Sequence, residues 1–490
     1  MSESTAAAAV PIEEIGAIKI DPARPETKPS TKYDRSIVEG PLSRAVWKLA
    51  WPTMLTNMIS GLQGIVDHIL VGHLVGFTGN AAIGVSFQIF LVVAVFISSL
   101  FIGMNVLVAR FAGAGEEDKV NHAAYQGFLT AIFMALVILA PIGYFAAPYL
   151  LDLVNAEATV KTEALPFLRI MMTCSVGMMI YFMLSGALRS AGDARTPMVL
   201  GVVMTLLNLG LSFVLIRGLG PIPAFGTAGS AMGTCIASGV VCAYALYKLW
   251  NGGWVVSFPK DRNYAPDWDT IKSLFKFGLP AGFQGIAMNI GGVALLAFIG
   301  SLAHSAEAQA AYAVSYTQLF SLVTWTSVGL MGAAAAVAGQ NLGAGRPDRT
   351  NAAVHIAARF GLMGAAFVGL FFFFMPELLL AVFGMKDETA VAIGVQLLRV
   401  LSVSGLFVTV ALTYTGGLQG TGDTKGPMYI SIISQVLVPL GICAVIKRFW
   451  TLDPMDIWFA ILAAHFARCT LSIIRFRQGR WRRISLDGAS

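Results

Sequence analysis

Long apolar runs separated by short polar breaks dominate the chain from about residue 45 onward. A helix needs roughly 20 mostly apolar residues to cross the hydrocarbon core of a bilayer, and these runs meet that length. The pattern predicts twelve transmembrane helices near residues 45–75, 81–110, 122–148, 164–190, 197–217, 226–250, 273–301, 307–340, 352–375, 391–418, 427–447 and 455–476. We therefore expect an all-α integral membrane protein.

Two loop motifs recur along the chain with one offset. Gly113 of FAGAG and Gly343 of NLGAG are 230 residues apart, and so are Gly192 of RSAGDARTPM and Gly422 of QGTGDTKGPM. Each repeat contains six predicted spans, an even number, so both halves enter the membrane in the same direction. This predicts two six-helix lobes related by a pseudo-two-fold axis along the membrane normal, with the substrate path between them.

Polar segments set the predicted domain boundaries. A flexible cytoplasmic tail at 1–40, which lacks the apolar core of a signal peptide, precedes an N-lobe at 41–250. A cytoplasmic linker at 251–270 leads to a C-lobe at 271–478 and to a basic cytoplasmic tail at 479–490.

Composition and charge fit a lipid environment. Hydrophobic residues make up 56% of the 490 positions and charged residues 12%, which leaves too few polar groups for a water-facing surface. The net charge of +6 comes from tails and alternate loops rather than from one face, which argues against nucleic-acid binding. By the positive-inside rule, both termini are expected in the cytoplasm. The expected location is the cell (inner) membrane. No cofactor is expected, because the five cysteines lack metal-ligand spacing.

The GAG and AGD/TGD loops resemble phosphate cradles only superficially, since neither is followed by GK[ST]. We interpret them as tight turns in which Asp193 and Asp423 cap the following helices, with Pro197 and Pro427 in the first turns. A contact at a cytoplasmic gate is the alternative.

Asp67 is the ionisable residue that stands out within the spans. Such a group costs about 2.5–3.5 kcal/mol on insertion scales and normally faces the protein interior. It shares one helical face with Asn57, Ser60, Gly61 and Gly64. Burial favours the neutral acid and a bound cation favours the carboxylate, so Asp67 could exchange an ion. A structural Asp bonded to a neighbouring helix is the alternative.

Several ordered motifs together carry a family resemblance. Pro52 is followed by VDHILVGHLVG, then by GAG, LRSAGDARTPM and GTAGSAMGT, with echoes in the second half. From about residue 41 to residue 477 the chain resembles the MATE family of multidrug and toxin extrusion transporters. The resemblance implies a secondary transporter for multidrug efflux rather than an enzyme. The chain also lacks the HExxH and GxSxG motifs of hydrolases.

The resemblance further implies an ion-coupling site in the first lobe, at Asp67, Asn208 and Thr234. Some members carry a second acid four residues after the Asn, where this chain has Ser212. A single carboxylate favours H⁺ as the coupling ion of an antiporter, with Na⁺ at Asp67, Asn208 and Thr234 as the alternative. Leu295 stands at the repeat equivalent of Asp67.

Another branch of the family carries acids in the seventh and tenth helices, where this chain is apolar around Met288 and Val408. It therefore resembles the DinF-like branch more than the NorM-like one. Coupling would then be confined to the first lobe.

Polar and aromatic span residues are the predicted lining of a substrate cavity, with interhelical packing as the alternative for each. They are Asn57, Gln63, Gln284, Gln309, Tyr312, Tyr316 and Tyr414. Aromatic faces and thioethers suit flat cationic compounds, so we expect small amphipathic, cationic substrates, together with H⁺ or Na⁺ and membrane lipids as partners, and a monomer. The rival function is a flippase for lipid-linked precursors, which the shortage of Arg and Lys in the spans disfavours.

Overall fold

The computed structural model describes residues 32–154, 157–259 and 264–486, and these are folded almost entirely into helices. The helices of the first half are α1 (Ser36–Glu39), α2 (Leu42–Leu74), α3 (Phe77–Ala114), α4 (Glu117–Phe133), α5 (Ala140–Leu153), α6 (Ala158–Thr173), α7 (Val176–Ser190), α8 (Arg195–Arg217) and α9 (Thr227–Trp250). Those of the second half are α10 (Trp268–Ile299), α11 (Ser305–Tyr312), α12 (Phe320–Gly343), α13 (Pro347–Phe374), α14 (Pro376–Val382), α15 (Glu388–Gly420), α16 (Lys425–Ile432), α17 (Val438–Phe449) and α18 (Pro454–Arg477). Single π-helical turns continue α4 into α5, α11 into α12 and α16 into α17.

The predicted all-α membrane fold is confirmed. Within the described residues, nine helical segments are long and apolar enough to cross a membrane, and α6 with α7, bent by 49° at their junction, would make a tenth. Helices α2 and α3 are also long enough, at 33 and 38 residues. The count of twelve spans stays a prediction.

The two repeated Asp loops are tight turns, as predicted. Gly192 and Gly422 have φ values of +106° and +97°, which side chains other than glycine rarely adopt. Asp193 and Asp423 each accept a hydrogen bond at 3.0 Å from the backbone N–H three residues further on. These bonds satisfy a free donor in the first turn of α8 and of α16.

The first glycine of each GAG loop lies where the two lobes touch. A methyl group on Gly113 would overlap the carbonyl oxygen of Gln340, and a methyl group on Gly343 would overlap the carbonyl oxygen of Arg110. Residues 110 and 340 are separated by the same 230 positions as the two glycines. The crossing of α3 with α12 is therefore built from two pseudo-equivalent contacts, in which each glycine admits the backbone of the other lobe.

We call the end of the bundle where α3, α7, α12 and α15 finish the base. Here Arg110 Nη1 donates to the carbonyl oxygen of Thr421 at 3.5 Å, and Gln340 Nε2 donates to that of Ser190 at 2.7 Å. Each bond joins one lobe to the other. With the glycine crossing, they hold the lobes together at the base.

The segment 32–40, which we call the N-terminal strap, contacts both lobes. Lys32 pairs with Glu117 of the first lobe at 2.8 Å, and Arg349 Nη2 of the second lobe donates to the carbonyl oxygen of Gly40 at 2.7 Å. Ile37 is fully buried, so this segment differs from the flexible tail expected over 1–40, whose first 31 residues lie outside the described residues.

The C-terminal segment 479–486 occupies the pseudo-equivalent place at the base. Its Ile484 packs against Gly422 as Ile37 of the strap packs against Gly192. The carbonyl oxygen of Ile484 also accepts from Arg110 Nη1 at 2.7 Å. The last four residues of the predicted basic tail lie outside the described residues.

The predicted linker docks on the start of α4. Asn121 Oδ1 accepts from the backbone N–H of Ser257 at 2.9 Å, and His122 Nε2 lies 2.9 Å from a carboxylate oxygen of Asp267. Burial would raise the pKa of Asp267, but hydrogen bonds from Thr270, His122 and two backbone amides lower it to about 2. Asp267 is therefore an ionised cap for α10.

We predict that Gly343→Ala weakens the contact between the lobes, because the added methyl group would meet the backbone of Arg110. Overpacking of this kind costs about 1–3 kcal/mol, which should lower the melting temperature of the purified protein by several degrees. Gly364→Ala is the matched control, since no atom lies within 4 Å of the added methyl. Equal melting temperatures for both variants would contradict the prediction.

Candidate functional site

Asp67 lies on the side of α2 away from its outward-facing stripe. Leu55, Leu62 and Ile69, seven residues apart, are 39%, 43% and 52% exposed and mark that stripe. Asp67 is two residues before Ile69 and so about 200° round the helix. Its side chain is half-buried. One carboxyl oxygen is fully buried and has no hydrogen-bond partner in the described part of the chain.

A polar network connects α2, α8 and α9 one turn from Asp67. Gln63 Nε2 donates to Asn208 Oδ1 at 3.0 Å, and Asn208 Nδ2 donates to Thr234 Oγ1 at 2.8 Å. Thr205 Oγ1 donates to Gln63 Oε1 at 2.9 Å, while the contact from Asn208 to Ser212 Oγ is longer, at 3.4 Å. The structure thus brings together the side chains of Asn208, Thr234 and Ser212, and adds Gln63 and Thr205.

Ser212 sits where a second acid occurs in some transporters that the sequence resembles. Its side chain is fully buried, and a methyl group on Gly233 would overlap Ser212 Oγ. The glycine lets α9 approach α8 closely, so this site is fitted to a small hydroxyl. An added carboxylate would have to displace α9.

Asp67 and the network are neighbours on α2 without being bonded to each other. Gln63 precedes Asp67 by four residues and so shares its face. No hydrogen bond joins Asp67 to the network among the described residues. Asp67 is thus a single acid beside uncharged amides and hydroxyls that form hydrogen bonds with one another. Asp67 is therefore the group here that can change its charge.

A cavity of about 390 Å³ lies between the lobes. Helices α2, α3 and α7 of the first lobe and α12 and α15 of the second lobe contribute its lining. Most of the lining is apolar, with aromatic rings and thioethers from Phe87, Phe90, Phe101, Met178, Met179, Phe182 and Met331. A volume of this size accommodates a drug-sized molecule.

The polar groups of the cavity come mainly from the first lobe. Asn57 lines it and donates to the carbonyl oxygen of Thr53 at 2.8 Å. Asn105 and Arg189 also line it. Asn105 Oδ1 is buried without a hydrogen-bond partner among the described residues.

The aromatic residues predicted for the cavity lie within the second lobe. Tyr312 and Tyr316 stack with ring centres 4.9 Å apart, and Tyr316 also stacks on His465. Tyr414 shares a hydrogen bond of 2.6 Å with His355. These three tyrosines are not among the residues that line the cavity.

The predicted glutamines likewise do not line this cavity. Gln284 is buried and donates to Ser431 Oγ at 2.8 Å. Gln309 is exposed, and Gln63 belongs to the polar network. Of the residues predicted as cavity lining, Asn57 is the one at this cavity.

Comparison with known proteins gives the family. The family model MatE matches residues 52–214 and 280–445, one segment in each lobe and together more than half of the chain. The chain belongs to the MATE family. Its closer resemblance to the DinF-like branch than to the NorM-like branch stays a prediction.

Curated MATE relatives cover nearly the whole chain. The probable multidrug resistance protein NorM of Thermotoga maritima is 27% identical over 441 residues, which are 89% of this chain and 92% of the relative. The probable multidrug resistance protein YoeA of Bacillus subtilis is 26% identical, with coverages of 88% and 92%. A solved outward-facing multidrug resistance MATE transporter superposes with a TM-score of 0.84 at 20% identity, over 92% of this chain and 98% of that one.

Sequence reasoning missed three groups at the MATE site. Thr205 is one hydroxyl in an apolar helix, and its bond to Gln63 joins residues 142 positions apart. Asn105 falls inside a long apolar run, and Arg189 belongs to a loop motif already interpreted as a turn. A helical wheel of α8 places Thr205 on the same face as Asn208, because the two residues are three positions apart.

We predict that Asn208→Ala destabilises the protein far more than Ser212→Ala. Loss of Asn208 leaves Gln63 Nε2 without its acceptor and Thr234 Oγ1 without its donor, which costs about 1–3 kcal/mol. Ser212 makes one long contact, so its loss should be nearly neutral. Unfolding of both variants in a denaturing detergent series measures the difference, and similar midpoints would show that the network contributes little.

Proposed function

We propose that this MATE transporter exports small amphipathic compounds by antiport, with protons entering and leaving through Asp67. The observation that carries the proposal is the half-buried Asp67 carboxyl, one oxygen of which has no partner in the described structure. A buried ionised carboxylate needs partners for its charge, whereas a protonated acid needs fewer. The environment of Asp67 in this conformation supports its neutral form.

Protons fit the site better than Na⁺. A hard cation takes several oxygen ligands, but Gln63 Oε1 and Asn208 Oδ1 already accept hydrogen bonds. The described residues contain no cluster of three or more His, Cys, Asp or Glu side chains suited to a metal ion. Sodium would have to share oxygens that already accept hydrogen bonds, whereas a proton needs only Asp67.

Helix α2 links the acid to the substrate cavity. It carries Asp67 and also contributes Thr56, Asn57 and Ser60 to the cavity, two to three turns nearer the base. Asp67 itself does not line the cavity, so proton and substrate need not compete for one atom. Coupling then arises because the two ligands favour different positions of the same helix.

The proposed cycle alternates access between the two ends of the bundle. We propose that the protein lies in the inner membrane of a cell and that its base faces the cytoplasm. The monomer is the proposed working unit. The glycine crossing and the bonds of Arg110 and Gln340 close the base in this structure. Export requires that this contact part so that the cavity opens to the cytoplasm.

We predict that a pH gradient drives efflux of a fluorescent amphiphile from proteoliposomes and that Asp67→Asn lowers this rate by at least about tenfold, within the range of typical coupling free energies. The amide keeps the shape of the side chain but cannot exchange a proton. A Na⁺ gradient at constant pH should have no effect.

The matched control is Asp269→Asn, which changes an acid that is 74% exposed at the start of α10. Its rate should equal that of the unchanged protein. Transport that persists in Asp67→Asn, or that follows Na⁺ alone, would refute the proton-coupling proposal. Movement of a lipid phosphate, with no efflux of the dye, would favour the flippase.

A further inference from the structure

Arg189 gives the cavity a single fixed charge. It lies in the last turn of α7 and is the one charged side chain among the described residues that line the cavity. Its guanidinium lies 5.7 Å from the centre of the Phe101 ring. The side chain of Arg189 forms no hydrogen bond or ion pair with the residues that the structure describes. A guanidinium has five N–H donors, and here they are left for a ligand or for water.

The guanidinium reaches across to the second lobe. A methyl group on Gly332 of α12 would lie 2.8 Å from Arg189 Nη1, so the glycine leaves room for the charged group between the lobes. A ligand held by Arg189 would therefore contact both lobes. Its binding would depend on how closely α7 and α12 approach.

We infer that the cavity binds amphipathic molecules through an anionic group of the carboxylate class, which pairs with Arg189 while the apolar body lies along the aromatic and thioether lining. Planar carboxylates accept two parallel hydrogen bonds from a guanidinium. The inference rests on the proposed efflux function and names the class of its substrate.

The same features disfavour cationic substrates. No Asp or Glu is found among the described residues of the lining, so an ammonium group would meet Arg189 with no opposite charge. The face of Phe101, which could attract a cation, already carries the guanidinium. The prediction of cationic substrates rests only in part on Tyr312, Tyr316 and Tyr414, which lie outside this lining.

The test compares three probes that share one apolar body. Pyrenebutanoate, its primary amide and pyrenebutylamine differ at the end group, and their binding to the purified full chain at pH 7.5 is measured by titration calorimetry. We expect the carboxylate to bind about ten- to hundredfold more tightly than the amide or the amine, the range of a charge-assisted hydrogen bond. Equal or tighter binding of the amine would overturn the inference.

Two variants assign the effect to the guanidinium. Arg189→Gln should reduce carboxylate affinity to that of the amide without changing amide affinity, and Arg189→Lys should restore part of it. Gly332→Ala keeps the charge but crowds the guanidinium, so it should also weaken carboxylate binding. Unchanged carboxylate affinity in Arg189→Gln would overturn the assignment, and amide binding verifies that each variant is folded.

Asp67→Asn separates this inference from the proton-coupling proposal. The variant should bind pyrenebutanoate normally while losing transport driven by a pH gradient. If no probe moves under a pH gradient but the binding series holds, the coupling proposal fails and the anion site stands. If phosphatidic acid competes more strongly than pyrenebutanoate, the site recognises a lipid headgroup, and the assignment to a small substrate is wrong.

Discussion

The absence of side chains at residues 113 and 343 is the constraint on which the arrangement of the lobes depends. Each glycine accepts the backbone carbonyl of the opposite lobe at distances that a methyl group would forbid. Because the two contacts are pseudo-equivalent, they fix α3 against α12 without favouring either lobe. The base bonds of Arg110 and Gln340 are formed by the same residues whose carbonyls the glycines admit.

Both lobes contribute to the closed base, but the polar and charged residues of the site come mainly from the first lobe. Asp67 and the network of Gln63, Asn208 and Thr234 lie in the first lobe. The charged group of the cavity, Arg189, also belongs to the first lobe. The second lobe contributes mainly the wall formed by α12 and α15. A pseudo-symmetric scaffold thus supports an asymmetric site.

The sequence predicted the features that depend on local pattern. Apolar runs gave the all-helical membrane fold, and the repeated loops predicted which residues are pseudo-equivalent. The pairing of Asn208 with Thr234 followed from family resemblance. The placement of Tyr312 and Tyr316 on one helical face agrees with their stacking.

Features that depend on distances between helices could not be predicted in this way. Helical spacing does not say which neighbour a face meets, so Tyr312 and Tyr316 were assigned to a cavity that they do not line. A glycine in a loop motif suits both a turn and a helix crossing, and Gly113 turned out to serve the crossing. The position of Arg189 in the cavity lining could not be predicted for the same reason, because the motif that contains it is interpreted as a turn.

The N-terminal strap has a mechanical consequence. It is covalently continuous with α2 through Gly40 and Pro41, yet Arg346 and Arg349 of the second lobe donate to the carbonyl oxygens of Val38 and Gly40. The helix that carries Asp67 is thereby tethered at its starting point to the opposite half of the molecule. Any rotation that separates the halves at this end must either stretch that tether or release it, so the resistance to opening falls directly on α2.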